Sequence, residues 1–225
     1  MSRSSIDAAP AFAPAAWVTI AASGAVLLLL AGLHALSPEF DPSLRAVSEY
    51  VEGRYGWVLS LMFATWALSS WSLAVAQWPS VKAIGGRIGL GCLIAAGGGE
   101  AMASVFDIHH PLHGLAGMIG VLSLPIAAMS ISVSLSRTLS WSGARSLLLG
   151  TANFTWMSLA LLVFLLMAGY MRAGNRMTRD SFAFMGWANR LLILAYCVWQ
   201  MVMAGQALLR AGAASCLPNF ESESS

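Results

Sequence analysis

The stretch AAWVTIAASGAVLLLLAGLHAL, residues 15–36, carries no Asp, Glu, Lys or Arg. It is long enough for the roughly 20 apolar residues that cross a bilayer as a helix. It also exceeds the apolar core of about 7 to 15 residues found in a cleavable signal peptide. It lacks a convincing small-residue cleavage site, so it reads as a retained first helix. Working outward, five more apolar blocks follow: about Trp57 to Trp78, a third ending near Phe106, then Gly114 to Leu135, Ser146 to Met171 and Phe184 to Leu209. The expected fold is all-α, an integral membrane bundle of six transmembrane helices with short loops and antiparallel neighbours. It forms one domain over residues 1–225 with short terminal tails.

Composition points the same way. Hydrophobic residues make up 58% of the 225, charged residues only 10%, and mean hydropathy is +0.72. A soluble domain carries about 25% charged residues, because its surface faces water. A net charge of +2 without basic runs offers nucleic-acid phosphates no footprint. Cys92, Cys197 and Cys216 form no CxxC pair and imply neither a disulfide framework nor a thiolate zinc site. The glycine-rich GGRIGLG at 85–91 opens a membrane helix and follows no strand, so it reads as helix packing rather than a phosphate cradle.

Orientation is evenly balanced. Arg3, Lys82, Arg87, Arg137, Arg145 and Arg210 share the side of the termini; Arg45, Arg54, Arg172, Arg176, Arg179 and Arg190 share the other. The positive-inside rule does not separate them. The simpler loops of the first side place the termini in the cytoplasm of a bacterial inner membrane. Glu39, Asp41, Glu49, Glu52, Asp107 and Asp180 then lie on the outer face.

That outer face also collects all four histidines: His34 at the end of helix one, and His109, His110 and His113 between helices three and four. Glu100 lies inside helix three, where an ionised carboxylate costs a few kcal/mol, so it should be neutral, paired or facing a wet cavity. It is alone at depth, fewer acids than a proton relay of paired charges uses. Asp107, seven residues on, falls on nearly the same helical stripe. Asn189 and Arg190 open helix six, and Arg190 could neutralise an acid or clamp an anionic headgroup.

Three readings of this layer stand open. Imidazole and carboxylate suit zinc or iron, and His109, His110 and His113 have spacings that share a face if the segment is helical, although Pro111 interrupts it. A b-type haem would need His34 with His113. Without metal, Glu49, Glu100, Asp107, His113 and Arg190 form an acid/base and anion-binding set suited to a lipid or isoprenoid headgroup. Beside these stands the plain alternative, in which interfacial histidines bond only to loop backbone. An accessory subunit of a larger membrane complex would equally use glycine-rich helices and outer loops as docking surfaces.

The segments SPEFDPSLRAVSEYVEGRYGW at 37–57, FDIHHPLHGLAG at 106–117 and GWANR at 186–190 resemble a known group. It is the uncharacterised prokaryotic six-helix membrane family called domain of unknown function nine-nine-eight. The best matched element is Ser48-Glu49 ahead of Tyr55-Gly56-Trp57. The family often has an Asp after a Phe-Pro pair; here Phe106 and Asp107 stand without the Pro, and His109 and His110 are added. The resemblance implies the six-helix topology and draws attention to Glu49, Asp107, His113 and Arg190. It implies no reaction.

Overall fold

The computed structural model describes residues 12–174 and 182–215. Arg3, Arg176, Arg179, Asp180 and Cys216 lie outside the described residues. Every regular element in that range is helical. The long ones are α1 (Ala13–Leu36), α2 (Gly56–Gln77), α3 (Ile84–Val105), α4 (His113–Ser136), α5 (Arg145–Ala173) and α6 (Met185–Ser215). Two 3-10 turns, Val47–Glu52 and Leu139–Ala144, lie in the connections before α2 and α5. Among the described residues, six helices are long and apolar enough to cross a membrane. Helix is what such a sequence must form in lipid, because no water is present to satisfy free backbone groups.

The helix ends follow local chemistry. Pro14 sits in the first turn of α1, where its missing N–H is not needed. At the other end Ser37, which precedes Pro38, leaves the helical region with φ −131° and ψ 62°. α3 stops at Phe106, whose backbone is extended at φ −99° and ψ 109°. α5 stops at Gly174, where φ is +49°. Phe184, just before α6, also has a positive φ of 67°, a conformation that is strained for an aromatic residue.

Each helix packs on its chain neighbours, and α6 returns against α1 as well as α5, closing the order α1 to α6 into a ring. The most extensive contact is between α3 and α4. A Cβ on Gly99 would lie 2.5 Å from the Gly120 backbone nitrogen, so only glycine allows the two helices to come this close. α6 supplies much of the core, with Tyr196, Cys197, Trp199 and Met203 buried. α5 is peripheral and leaves Met157, Phe164, Met167 and Met171 exposed. Trp17, Trp57, Trp78 and Trp187 are exposed near helix ends, as an interfacial belt requires, whereas Trp66, Trp141 and Trp199 are core.

Candidate functional site

Arg190, in the first turns of α6, is only 6% exposed. Its guanidinium ties three distant segments together. Nε donates to His34 Nε2 on α1 at 2.7 Å. Nη1 donates to the Arg45 carbonyl at 2.8 Å and the Gly186 carbonyl at 2.9 Å. Nη2 donates to the Tyr50 hydroxyl at 3.1 Å. The cation also stands 5.5 Å from the Tyr50 ring centroid and 6.0 Å from that of Trp187, within cation–π range. These four hydrogen bonds leave one of the five guanidinium N–H groups unassigned. No carboxylate lies within ion-pair distance of Arg190 among the described residues.

The partners fix His34 in turn. Its Nδ1 is 2.6 Å from the Leu30 carbonyl. A carbonyl only accepts and a guanidinium only donates, so Nδ1 carries the proton and Nε2 is bare. His34 is therefore a neutral imidazole, stacked at 6.4 Å on Trp187 and set edge-on to Tyr50 at 5.8 Å.

The connection between α1 and α2 is shaped to reach this point. Glu49 accepts from Arg45 at 2.6 Å and from the Ala46 N–H at 2.9 Å, and Glu52 also bonds Arg45 at 3.2 Å. The Glu49 hydrogen bond raises the pKa of Arg45 further. Asn189 accepts from the Val47 N–H at 2.9 Å and pins the 3-10 turn to α6. Asp41 accepts from the Ser43 N–H and hydroxyl, both at 2.8 Å. Those bonds hold its carboxyl below its ordinary value of 3.8, with Arg190 adding a smaller long-range pull. Gly186 is required here, since a Cβ would collide with the carbonyls of Pro42 and Arg45.

Arg190 and His34 stand on the wall of an open cavity of about 990 Å³ between α1, α5 and α6. The rest of the wall is apolar, with Leu27, Leu30, Leu161, Leu165 and Leu194 among the residues along it and Trp187 and Phe184 beside the cation. The strained backbone of Phe184 thus belongs to a groove residue. The cavity offers a cation, an imidazole and a long greasy wall. Among the described residues that line it there is no carboxylate, thiol or hydroxyl.

The other residues expected at the site are placed elsewhere. Asp107 is exposed and accepts from the His109 N–H at 3.0 Å, a local turn. Its expected alignment with Glu100 fails because α3 ends at Val105, two residues short. His109 and His110 are exposed; His110 stacks on Phe106 at 4.4 Å and accepts from the Leu112 N–H. His113 Nδ1 bonds the Phe106 carbonyl at 2.8 Å. Among the described residues, no group of three or more His, Cys, Asp or Glu side chains gathers to hold a metal ion. Glu100 is buried in the bundle interior, hydrogen-bonded to Ser70 at 2.7 Å. Of the expected catalytic set, Arg190 lines the groove, Glu49 bonds Arg45 behind it, and Glu100, Asp107 and His113 are not among its lining residues. Tyr50 and Trp187 were not legible as site residues, since Trp187 reads as an ordinary belt tryptophan and nothing near Tyr50 marks it.

Neither a curated protein nor a solved structure matches the chain. One family model does match, over residues 11–206, from just before α1 to well inside α6. That span contains the arginine knot, its supporting turn and the groove, and by it the chain belongs to the family described as protein of unknown function, DUF998.

Proposed function

We propose that this multi-pass membrane protein binds a phosphate-headed lipid in the groove between α1, α5 and α6, with the headgroup at Arg190 and His34. The observation that carries this reading is a buried guanidinium on the wall of an apolar cavity, with no carboxylate within ion-pair distance among the described residues. Burying a cation is costly unless it is compensated. Neutral carbonyls, an imidazole and a phenol stabilise it while leaving its charge uncancelled for an anion. The guanidinium N–H that has no bond among the described residues would donate to a phosphate oxygen, and charge-assisted bonds of that kind are the strong ones. Trp187 and Phe184 would border the glycerol or isoprenoid region, and the leucines the chain.

The groove wall supports binding and presentation of the lipid rather than a reaction on it. The topology that goes with this reading is six antiparallel crossings, supported by connections as short as the one between Gln77 and Ile84. In this reading the arginine knot lies at the outer face of a bacterial inner membrane and the termini in the cytoplasm.

The test is a titration of purified protein with fluorescent phosphatidic acid and with its diacylglycerol counterpart, which has the same chains and no phosphate. One charge-assisted hydrogen bond contributes about 1.5–3 kcal/mol. Phosphatidic acid should therefore bind about tenfold to a hundredfold more tightly. Leu161→Trp, which narrows the groove at its α5 wall, should weaken binding and leave the melting temperature unchanged. Equal affinity for the two lipids, or full binding by Leu161→Trp, overturns the reading.

A further inference from the structure

A second polar region crosses the bundle interior, built from four helices. Ser23 Oγ on α1 and Ser69 Oγ on α2 are 2.7 Å apart. They reach Gln200 Oε1 on α6 at 3.2 and 3.1 Å. Gln200 Nε2 donates to Ser70 Oγ at 2.8 Å, and Ser70 donates to Glu100 Oε2 on α3 at 2.7 Å. The direction is forced, because an amide NH₂ can only donate and the one Ser70 proton is left for the carboxyl. Such aligned bonds polarise one another and strengthen the last in the series.

Beyond Glu100 the chain of donors stops at a small cavity of about 50 Å³. Glu100, Trp66 and Tyr196 border it, with Gly99, Gly117 and Gly120. Trp66 is 5% exposed, and its indole N–H has no hydrogen-bond partner among the described residues. The Tyr196 hydroxyl donates to the Val121 carbonyl at 2.7 Å, so its oxygen can still accept. A water needs roughly 10–15 Å³ of such space and two to four polar partners. An occupant here must accept from an indole N–H and donate to a carboxylate. Water does both. A metal cation would meet the positive end of the indole N–H, and an apolar guest would leave the indole unsatisfied.

We propose that this cavity is a proton site, in which a resident water bridges Trp66 and Glu100 and exchanges a proton with the carboxyl group. A hydronium at the water position gives its proton to the Glu100 oxygen not bonded to Ser70, leaving water and a neutral carboxyl. The reverse step regenerates the carboxylate, which the Ser70 hydroxyl then stabilises. The groups facing Glu100 are Ser70 and Trp66 from α2, the small residues of α4, and Tyr196 and Cys197 from α6. Tyr196 and Cys197 are the titratable ones among the described residues, and no basic side chain is present there. Phe63, Ala103 and Gly117 form a half-buried rim. Gly117 lies one helical turn from His113, the direction in which the proton reaches solvent.

The experiment is acid-minus-alkaline infrared difference spectroscopy of the full chain in nanodiscs, in H₂O and D₂O. The expected result is a protonated-carboxyl band that shifts in D₂O and is lost in Glu100→Gln, an isosteric change. Trp66→Phe, which removes only the indole donor, should shift the band. A difference spectrum unchanged by Glu100→Gln overturns the proton site. A band insensitive to both D₂O and Trp66→Phe overturns the bridging water, and with it the proposal.

Discussion

Two polar connections invite comparison: residues 37–55, which meet the start of α6, and residues 106–112, between α3 and α4. In sequence the second is the richer, with an aspartate and two histidines in quick succession and His113 directly after it. In space it is the poorer. Its hydrogen bonds join residues two to seven positions apart, and they do no more than close a turn. The first connection has no histidine at all, yet its Arg45 carbonyl and Tyr50 hydroxyl bind a guanidinium more than 100 positions away. Density of chemically capable residues along the chain is not convergence. A site arises where the fold brings unlike groups together and shields them from water.

The largest effect that would break this contrast is expected from Arg190→Gln. It strips hydrogen bonds from His34, Arg45, Gly186 and Tyr50 together and should lower stability by about 3 kcal/mol in thermal unfolding. Arg190→Lys should recover little of this, because a point charge cannot serve a planar fork. Next comes Gly186→Ala, where a Cβ meets two backbone carbonyls. A loss of about 1–3 kcal/mol is expected, as for overpacking elsewhere. Its counterpart at the other connection is Gly114→Ala, which meets nothing within 4 Å. In a helix it should be neutral or stabilising by up to about 1 kcal/mol. A cost equal to that of Gly186→Ala would erase the difference between the regions.

Smaller effects are expected at the exposed positions. His109→Ala and His110→Ala should change stability by no more than about 0.5 kcal/mol, as exposed substitutions do. Bound metal in stoichiometric amount, lost in these variants, would restore the α3–α4 connection as a site. Asp41→Asn should produce a small change with a definite pH dependence. The folded carboxyl is held low by Ser43, so its contribution is present above the ordinary value of 3.8 and disappears as pH falls through the lower folded value. The melting difference between Asp41→Asn and wild type should therefore exist at neutral pH and vanish in strong acid.

The six spans were legible because lipid imposes a plain rule on composition and length. The block expected at 15–36 is a helix over Ala13–Leu36, and that expected at 114–135 is one over His113–Ser136. Site residues were legible only as types. Arg190 reads as an anion clamp from the sequence, and it does line a cavity large enough for an amphiphile. Its pairing with His34, 156 positions away, leaves no local trace, since neither residue changes the pattern around the other. Glu100 and Asp107 show the opposite failure. Their spacing fits one helical stripe, but the rule holds only while the helix continues, and the extended backbone at Phe106 ends it. Trp66 could not be singled out either, because an unpartnered indole is visible only once its neighbours are in place.

The most direct test of the central claim is mass spectrometry of the lipids that remain bound after mild detergent extraction, comparing wild type with Leu161→Trp. The expected result is a phosphate-headed anionic lipid enriched over bulk membrane on the wild-type protein and depleted on the narrowed-groove variant. The same lipid profile on both proteins, matching the bulk membrane, would contradict it.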